Sequence, residues 1–340
     1  MELLSLFTKR IAIDLGTTHT VILHNDKIVV DEPSIIAIEK DTGQIMAVGN
    51  KALRMDGCTH EHALTIRHLK AGRLADFRNT EMMLKEFIKT RCSKNHLFPS
   101  AWKMVICIPF GITEVETRAV RYSAEQAGAK EVWMIYESMA AAIGIGLDVL
   151  SPDASMVIDI GGGASKVAVL ALGGIVASRS LQIAGDEFNA NIIDYMRRKH
   201  NISIDEATAE QIKIRVGSAI EDLDNPPEGY EVCGSDLLQG GMMAVKVNYS
   251  EIAGALDHSI SEIEGAIRSV LESTPPESVA DIYRNGIFLV GGGALLRGLD
   301  KRISRATHLP VHVADDPLKA VARGAGIALK YFNQFPFIVK

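Results

Sequence analysis

The sequence predicts an α/β protein made of two duplicated halves. Three observations carry that reading. The segments Ile11-Ala12-Ile13-Asp14-Leu15-Gly16-Thr17 and Met156-Val157-Ile158-Asp159-Ile160-Gly161-Gly162 repeat one pattern, an apolar run closed by an aspartate and a glycine turn, 145 residues apart. Each copy opens a stretch that starts with short strands and continues through strand–helix units, and a repeat this long is a duplicated domain, since solenoid periods run about 20–50 residues. Finally, 340 residues, 47% of them hydrophobic, supply apolar surface for about two cores.

In chain order, residues 10–14 read as a buried strand and 20–23 as a second. Asn25-Asp26 makes a tight hairpin returning through 27–30, and Pro33 stops that run. Residues 35–38 and 45–48 flank the turn Asp41-Thr42-Gly43. Residues 80–92 have helical spacing, with Met83, Phe87 and Ile88 on one face. Residues 105–108 form an all-apolar strand suited to a sheet covered on both faces. Thr113 and Glu116 make a capping box for a helix running to Gly128. A strand over 132–135 and a small-residue helix over 139–145 complete the first half.

After a Pro-containing polar break at 147–154 the pattern restarts. A strand over 156–159 ends in glycines, and 166–172 turns at Gly173-Gly174 into 175–178. Helices are expected over about 187–200 and 208–219. A hairpin over 230–247 turns at Gly240-Gly241, and Ser250 caps a helix to about Glu272. A strand over 287–290 meets a third glycine run that opens a helix, and 317–331 closes the chain as a helix.

Composition removes several functions. A net charge of −6 leaves no basic excess for general nucleic-acid binding. Cys58, Cys92, Cys107 and Cys233 are scattered without metal-ligand spacing, which disfavours zinc and a disulfide framework and points to a reducing cytoplasm. No run of roughly 18 apolar residues spans a bilayer, and residues 1–7 lack a signal peptide's apolar core and cleavage site. The Gly-x-x-x-x-Gly-Lys-[Ser/Thr] loop is absent, which excludes a P-loop enzyme; Gly-x-Gly-x-x-Gly after the first strand is absent too, which disfavours a dinucleotide fold.

The glycine turns carry the chemistry. In the first loop, Gly16 lets backbone amides approach phosphate oxygens, Thr17, Thr18 and His19 line it, and Asp14 can hold a hydrated Mg²⁺. Alone, Asp-x-Gly-Thr is equally a hairpin turn with a capping aspartate. The second loop repeats it with Asp159 and Gly161, Gly162 and Gly163, and two such loops make the turn-only explanation hard to sustain. In the third run, Gly291, Gly292, Gly293 and Ala294 present helix N-terminal amides to a phosphate or nucleotide edge, with close strand–helix packing as the alternative.

The sequence resembles the MreB family of bacterial actin-like proteins. The resemblance rests on Asp14-Leu15-Gly16-Thr17, Asp31-Glu32-Pro33-Ser34, Ala75-Asp76-Phe77, Thr113 to Glu116 and Met139 to Gly144. It continues through Asp159 to Gly163, Ala184-Gly185-Asp186-Glu187, residues 291–298, 314–317 and Val321-Ala322-Arg323-Gly324. It covers nearly the whole chain in order; sugar kinases and chaperone ATPases share the loops but not these surrounding motifs.

The resemblance implies an actin-like (duplicated ribonuclease-H-like) two-domain fold with four subdomains around a nucleotide cleft. Residues 1–150 would form domain I, with a smaller inserted subdomain at about 33–75, and 151–340 domain II, with an insertion at about 187–260; the last helix could pack back on domain I. It implies ATP and Mg²⁺ as cofactors, Asp14 and Asp159 meeting the metal mostly through water. Gly185, Asp186 and Glu187 join the nucleotide site, and Glu210, Gln211, Ile212 and Lys213 lie where the family touches ribose and base. Arg215 stands where a glutamate is usual, and a solvated helical charge is the other reading of Lys213. Glu137 takes the place of the catalytic carboxylate that orients the attacking water; its other reading is an exposed glutamate before a helix. Ser138 replaces the family's proline and Ala164 a threonine that helps place the water, so binding is expected intact and hydrolysis slow.

The resemblance further implies self-assembly into filaments on the inner membrane face, where they organise cell-wall synthesis with MreC, MreD and RodZ. Leu3, Leu4 and Phe7 resemble an N-terminal amphipathic anchor, and Leu97 and Phe98 an apolar membrane-insertion loop; Trp102 is expected in the core. An actin-fold sugar kinase is the alternative, but no segment offers a second pocket with an acceptor base. A chaperone ATPase would need a peptide-binding domain beyond Lys340.

Overall fold

The computed structural model describes residues 8–57, 62–67, 69–70, 73–74, 77–92 and 101–338. The chain divides into two units. Unit 1 comprises the described residues of Met1–Pro152, Leu170–Ile175 and Leu318–Lys340, and unit 2 comprises Asp153–Val169 and Val176–Pro317.

Unit 1 opens with β1 (Thr8–Leu15), β2 (His19–His24) and β3 (Lys27–Pro33), an antiparallel meander. Asn25 and Asp26 join β2 to β3 with φ of 52° and 60°. Asn and Asp tolerate that left-handed region, and a turn with two such residues matches the twist of the flanking strands. Next, β4 (Ile35–Glu39), β5 (Ile45–Val48) and β6 (Ala63–Arg67) form a small antiparallel sheet with β4 in the middle. The short helix α1 (Asn50–Leu53) packs on it, and β7 (Leu69–Lys70) and β8 (Arg73–Leu74) make a two-stranded ribbon.

The helix α2 (Phe77–Phe87) starts before the expected residue 80 and ends in one π-helical turn, Ile88–Cys92. Then β9 (Ala101–Ile108), α3 (Glu114–Gln126) and β10 (Ala129–Tyr136) add two parallel strands, giving the order β10-β9-β1-β2-β3. The capping box that starts α3 is formed: Thr113 Oγ1 accepts from the Glu116 amide at 3.2 Å, and the Glu116 carboxylate accepts from the Thr113 amide at 2.9 Å. Ile11, Ile13, Met104, Ile106 and Met134 of the sheet bury against Met83 and Phe87 of α2 and Val120 of α3. Trp102 is buried in the same core. α4 (Glu137–Gly144) begins directly at the end of β10, two residues earlier than its pattern predicts.

Unit 2 begins with β11 (Ser155–Ile160), β12 (Ser165–Ala171) and β13 (Gly174–Leu181). The β12–β13 turn falls on Leu172 and Gly173, both with positive φ, one residue before the predicted glycine pair. There follow α5 (Gly185–His200), β14 (Ile202–Ser203), α6 (Glu206–Val216), β15 (Tyr230–Asp236), β16 (Met242–Val247), α7 (Tyr249–Ser273), α8 (Pro276–Asn285), β17 (Ile287–Val290), α9 (Leu299–Thr307) and β18 (Val311–Val313). The main sheet runs β13-β12-β11-β17-β18, with β17 parallel to both neighbours, and β14-β15-β16 form an antiparallel sheet. Phe188, Ile192 and Met196 of α5 and Ile252, Leu256 and Ile260 of α7 are fully or nearly fully buried.

Three further boundaries in unit 2 differ from those the sequence predicts. α6 starts at Glu206 because Asp205 caps it, accepting from the Thr208 amide at 2.8 Å, and it stops at Val216. α7 is capped by Asn248, not Ser250, in a reciprocal box with Glu251. The third glycine run opens only a 3-10 turn, Gly292–Leu295, and α9 begins four residues later.

The last helix, α10 (Ala320–Lys330), belongs to unit 1 and packs on α4; it follows a 3-10 turn, so it starts later than predicted. Leu3, Leu4, Phe7, Ala75, Asp76, Leu97 and Phe98 lie outside the described residues. Among the described residues no helix is long and apolar enough to cross a membrane.

Candidate functional site

In unit 1, β1 delivers Asp14 to the first loop. Asp14, Thr17 and Thr18 are partly buried and His19 is exposed. The Gly16 amide donates to the His19 carbonyl at 3.0 Å, and a Cβ on Gly16 would lie 2.6 Å from that oxygen. The turn itself therefore requires glycine. Ser34, at the β3–β4 junction, fixes the loop from outside. Its hydroxyl donates to the Gly16 carbonyl at 2.7 Å, its amide donates to the Thr18 carbonyl at 2.9 Å, and its Oγ is 2.8 Å from Thr20 Oγ1. In the sequence Ser34 stands out only as part of the Asp31–Ser34 motif; its partners are 14 to 18 residues away, beyond any local signal.

Glu137 is the first residue of α4 and only 6% exposed. The reading of an ordinary exposed glutamate is thus overturned. A carboxylate at this end of a helix is favoured by the helix dipole, and a buried one is held in place for chemistry or structure rather than for solubility.

In unit 2, four segments distant in sequence meet. The second loop closes through the Gly161 amide donating to the Ala164 carbonyl at 3.1 Å. The first amides of α5 then donate back to it, Gly185 to the Gly161 carbonyl at 3.1 Å and Asp186 to the Gly162 carbonyl at 2.8 Å. From α6, Lys213 Nζ donates to the Gly185 carbonyl at 2.9 Å and to Glu210 Oε2 at 2.8 Å. Glu210 also accepts from Asn189 Nδ2 of α5 at 2.9 Å. Lys213 is therefore no solvated surface charge: its ammonium bridges α6 to the start of α5. Between these two residues, Gln211 is exposed and Ile212 is buried in the core. Glu187 is exposed at the first turn of α5.

The fourth segment is the third glycine run. A Cβ on Gly291 would lie 2.4 Å from the Ile160 carbonyl oxygen, and one on Gly293 2.2 Å from Ile160 Cγ2. Close packing on β11 thus accounts for these two glycines, while Gly292 is exposed and Ala294 buried. Gly161 differs. Its φ is not positive, and a Cβ there would meet only the Ala164 carbonyl at an ordinary 3.5 Å. Asp159, at the end of β11, pairs with Lys166 of β12 at 3.8 Å. Ala164 is buried, and the Ser165 hydroxyl donates to the Ile183 carbonyl at 2.5 Å.

The family model described as MreB/Mbl protein matches residues 8–336. The chain is 42% identical over 332 residues to the cell shape-determining protein Mbl of Bacillus subtilis (strain 168), spanning 97% of this chain and 98% of that one. It is 46% identical over 333 residues to the cell shape-determining protein MreB of Escherichia coli (strain K12), spanning 96% and 95%. Among solved structures, MreB5 of Spiroplasma citri bound to AMPPNP superposes with a TM-score of 0.89 at 33% identity, over 96% of this chain and 97% of that one. A MamK double helical filament subunit shares the fold at 20% identity, with a TM-score of 0.79 over 97% of this chain and all of that one. The duplicated loops, their arrangement and these likenesses place the chain in the MreB/Mbl family, with its actin-like fold.

Proposed function

We propose that the chain binds ATP·Mg²⁺, polymerises into filaments on the inner face of the cell membrane, and determines bacterial cell shape by organising cell-wall synthesis. The observation that carries nucleotide binding is the convergence in unit 2 of the second loop, the start of α5, the Glu210–Lys213 pair and the third glycine run. The protein's own packing leaves room for a Cβ at Gly161, and close approach of a phosphate to the backbone is the demand for glycine that this reading supplies. The Spiroplasma citri relative was solved with AMPPNP and with ADP, which supports an adenine nucleotide.

In this reading Gly16, Thr17, Thr18 and His19 hold phosphates, as do Gly161, Gly162 and Gly163. Gly185, Asp186, Glu187, Glu210, Gln211, Ile212 and Lys213 flank the ribose and base, and Gly292, with its neighbours Gly291, Gly293 and Ala294, edges the nucleotide. Mg²⁺ keeps most of its waters and uses few carboxylates; Asp14 and Asp159, each near the end of a strand, would meet it mostly through water, with the Lys166 ammonium beside Asp159. Bound Mg²⁺ would supply charge neutralisation to the phosphates. Glu137 would orient the attacking water. Hydrolysis is slow in this reading, because Ala164 offers no side-chain hydrogen bond and the Ser165 hydroxyl is engaged by Ile183.

The test is sedimentation of the purified chain with and without ATP, alone and with anionic liposomes, followed by electron microscopy. ATP-dependent pelleting and lipid-bound filaments are expected, after which MreC, MreD and RodZ are the partners to assay. Protein that stays in solution while turning over ATP only with a sugar would replace this reading by a kinase.

A further inference from the structure

We infer that Lys166 is a built-in counter-cation of the phosphate site, supplying beside Asp159 part of the positive charge that a bound triphosphate otherwise takes from Mg²⁺, so that nucleotide binding by this chain depends only weakly on the metal. The inference rests on the nucleotide-binding reading above and deepens it.

Lys166 is the second residue of β12, and Asp159 the second-last of β11, on either side of the second loop. The loop's closing bond, Gly161 to Ala164, holds the two strand ends together. Lys166 Nζ lies 3.8 Å from Asp159 Oδ2, with the side chains 19% and 10% exposed. The other carboxylate oxygen, Oδ1, lies over Gly291, where a Cβ would come within 2.5 Å of it. Both oxygens of Asp159 are therefore set against protein groups. A partly desolvated pair is screened far less than a surface pair, so the ammonium stays where the strand puts it.

The other ammonium at these loops, Lys213, donates to Glu210 and to the Gly185 carbonyl at the α5 side. At the β11–β12 end the positive charge is that of Lys166. An ammonium acts as a compact point charge and needs no set direction to attract phosphate oxygens. A strand-terminal aspartate without such a neighbour would repel phosphates unless a metal intervened.

The experiment is calorimetric titration of the full chain with AMPPNP, in Mg²⁺ and in excess EDTA, for the wild type, Lys166→Gln and Lys166→Arg. Removing the metal should weaken the wild type and Lys166→Arg by less than about threefold and Lys166→Gln by at least about tenfold, the scale of one charge-assisted interaction. If Lys166→Gln fails to fold, the wild type decides alone: a loss below about threefold in EDTA is expected, and a loss of about tenfold or more would overturn the counter-cation role. A wild type as metal-dependent as the glutamine variant would overturn the counter-cation role and leave nucleotide binding standing. No binding by the wild type even with Mg²⁺ would overturn both.

Discussion

Gly324 of α10 rests on the main chain of Ala140 in α4: a Cβ on Gly324 would sit 1.7 Å from the Ala140 carbonyl oxygen. The relationship is reciprocal, since a Cβ on Gly144 would sit 1.9 Å from the Ala320 carbonyl oxygen. Across the same crossing, Arg323 Nε donates to the Gly144 carbonyl at 2.5 Å. The two helices meet backbone to backbone, so no side chain can rotate away to make room. Gly324→Ala should therefore destabilise the protein by about 3 kcal/mol or more, at the upper end for overpacking. Urea denaturation measures it, and a loss under about 0.5 kcal/mol would mean that α4 and α10 separate freely. Because Glu137 is the first residue of α4, this crossing also fixes where the candidate catalytic carboxylate sits.

Asp205 ties α6, and with it Glu210 and Lys213, to a pH-dependent cap. Side-chain and backbone hydrogen bonds from Thr208 hold its carboxyl below the ordinary 3.8. A depressed carboxyl stabilises the fold above its unfolded value and loses that contribution as pH falls through the folded one. Asp205→Ala should cost about 1 kcal/mol near neutrality, and the difference from wild type should shrink as pH drops below 3.8. Denaturation series at pH 7 and pH 3 check both halves; a gap that stays constant would assign the loss to something other than the ionised cap.

Cys92 reports on the unit 1 core. Burial pushes its thiol from 9.0 up to about 11, against the opposing pull of the Lys9 ammonium. Maleimide at pH 8 should label the exposed Cys233 and leave Cys92 unmodified until the protein unfolds. Between pH 9 and 11 the unfolded thiol ionises first, so stability should fall with rising pH, and less steeply in Cys92→Ala. Equal slopes in the two proteins would remove Cys92 as a cause.

What could be read from the sequence was local. Asn25-Asp26 and the Thr113–Glu116 box each act within four residues, and both formed as their chemistry dictates. The duplicated aspartate–glycine loops identified the strand ends for the same reason. What escaped was decided by choices between near-equal local options or by tertiary packing. Asn248 and Ser250 are both good caps, and Glu251 at the third helical position settles the matter for Asn248. Gly291 and Gly293 look like phosphate-loop glycines, yet their spacing to Ile160 shows a packing demand that only the folded strands impose. Ser34 on the first loop, Lys213 on Gly185 and Lys166 on Asp159 join residues 18, 28 and 7 apart, and no periodicity encodes which of many charged or polar residues will meet.

The proposed slow hydrolysis makes Ala164 the position to restore. It is buried beside the second loop, and its neighbour Ser165 is fully buried with its hydroxyl proton donated to Ile183, so this pair has no side-chain donor left to place a water. Ala164→Thr adds a donor and acceptor, and a β-branched side chain suits the extended backbone entering β12. The two added heavy atoms will cost some stability, of order 1–3 kcal/mol if the neighbours cannot yield, so folding is verified first by thermal denaturation. Phosphate release should then rise about tenfold or more, with AMPPNP affinity unchanged, as expected when a group acts on the attacking water rather than on binding. Adding Glu137→Gln to the same chain should return turnover to the starting level or below, since an amide cannot take up the proton. If Ala164→Thr folds and binds but releases phosphate no faster, the missing hydroxyl is not what limits the reaction, and Glu137, buried at the head of α4, becomes the next place to look.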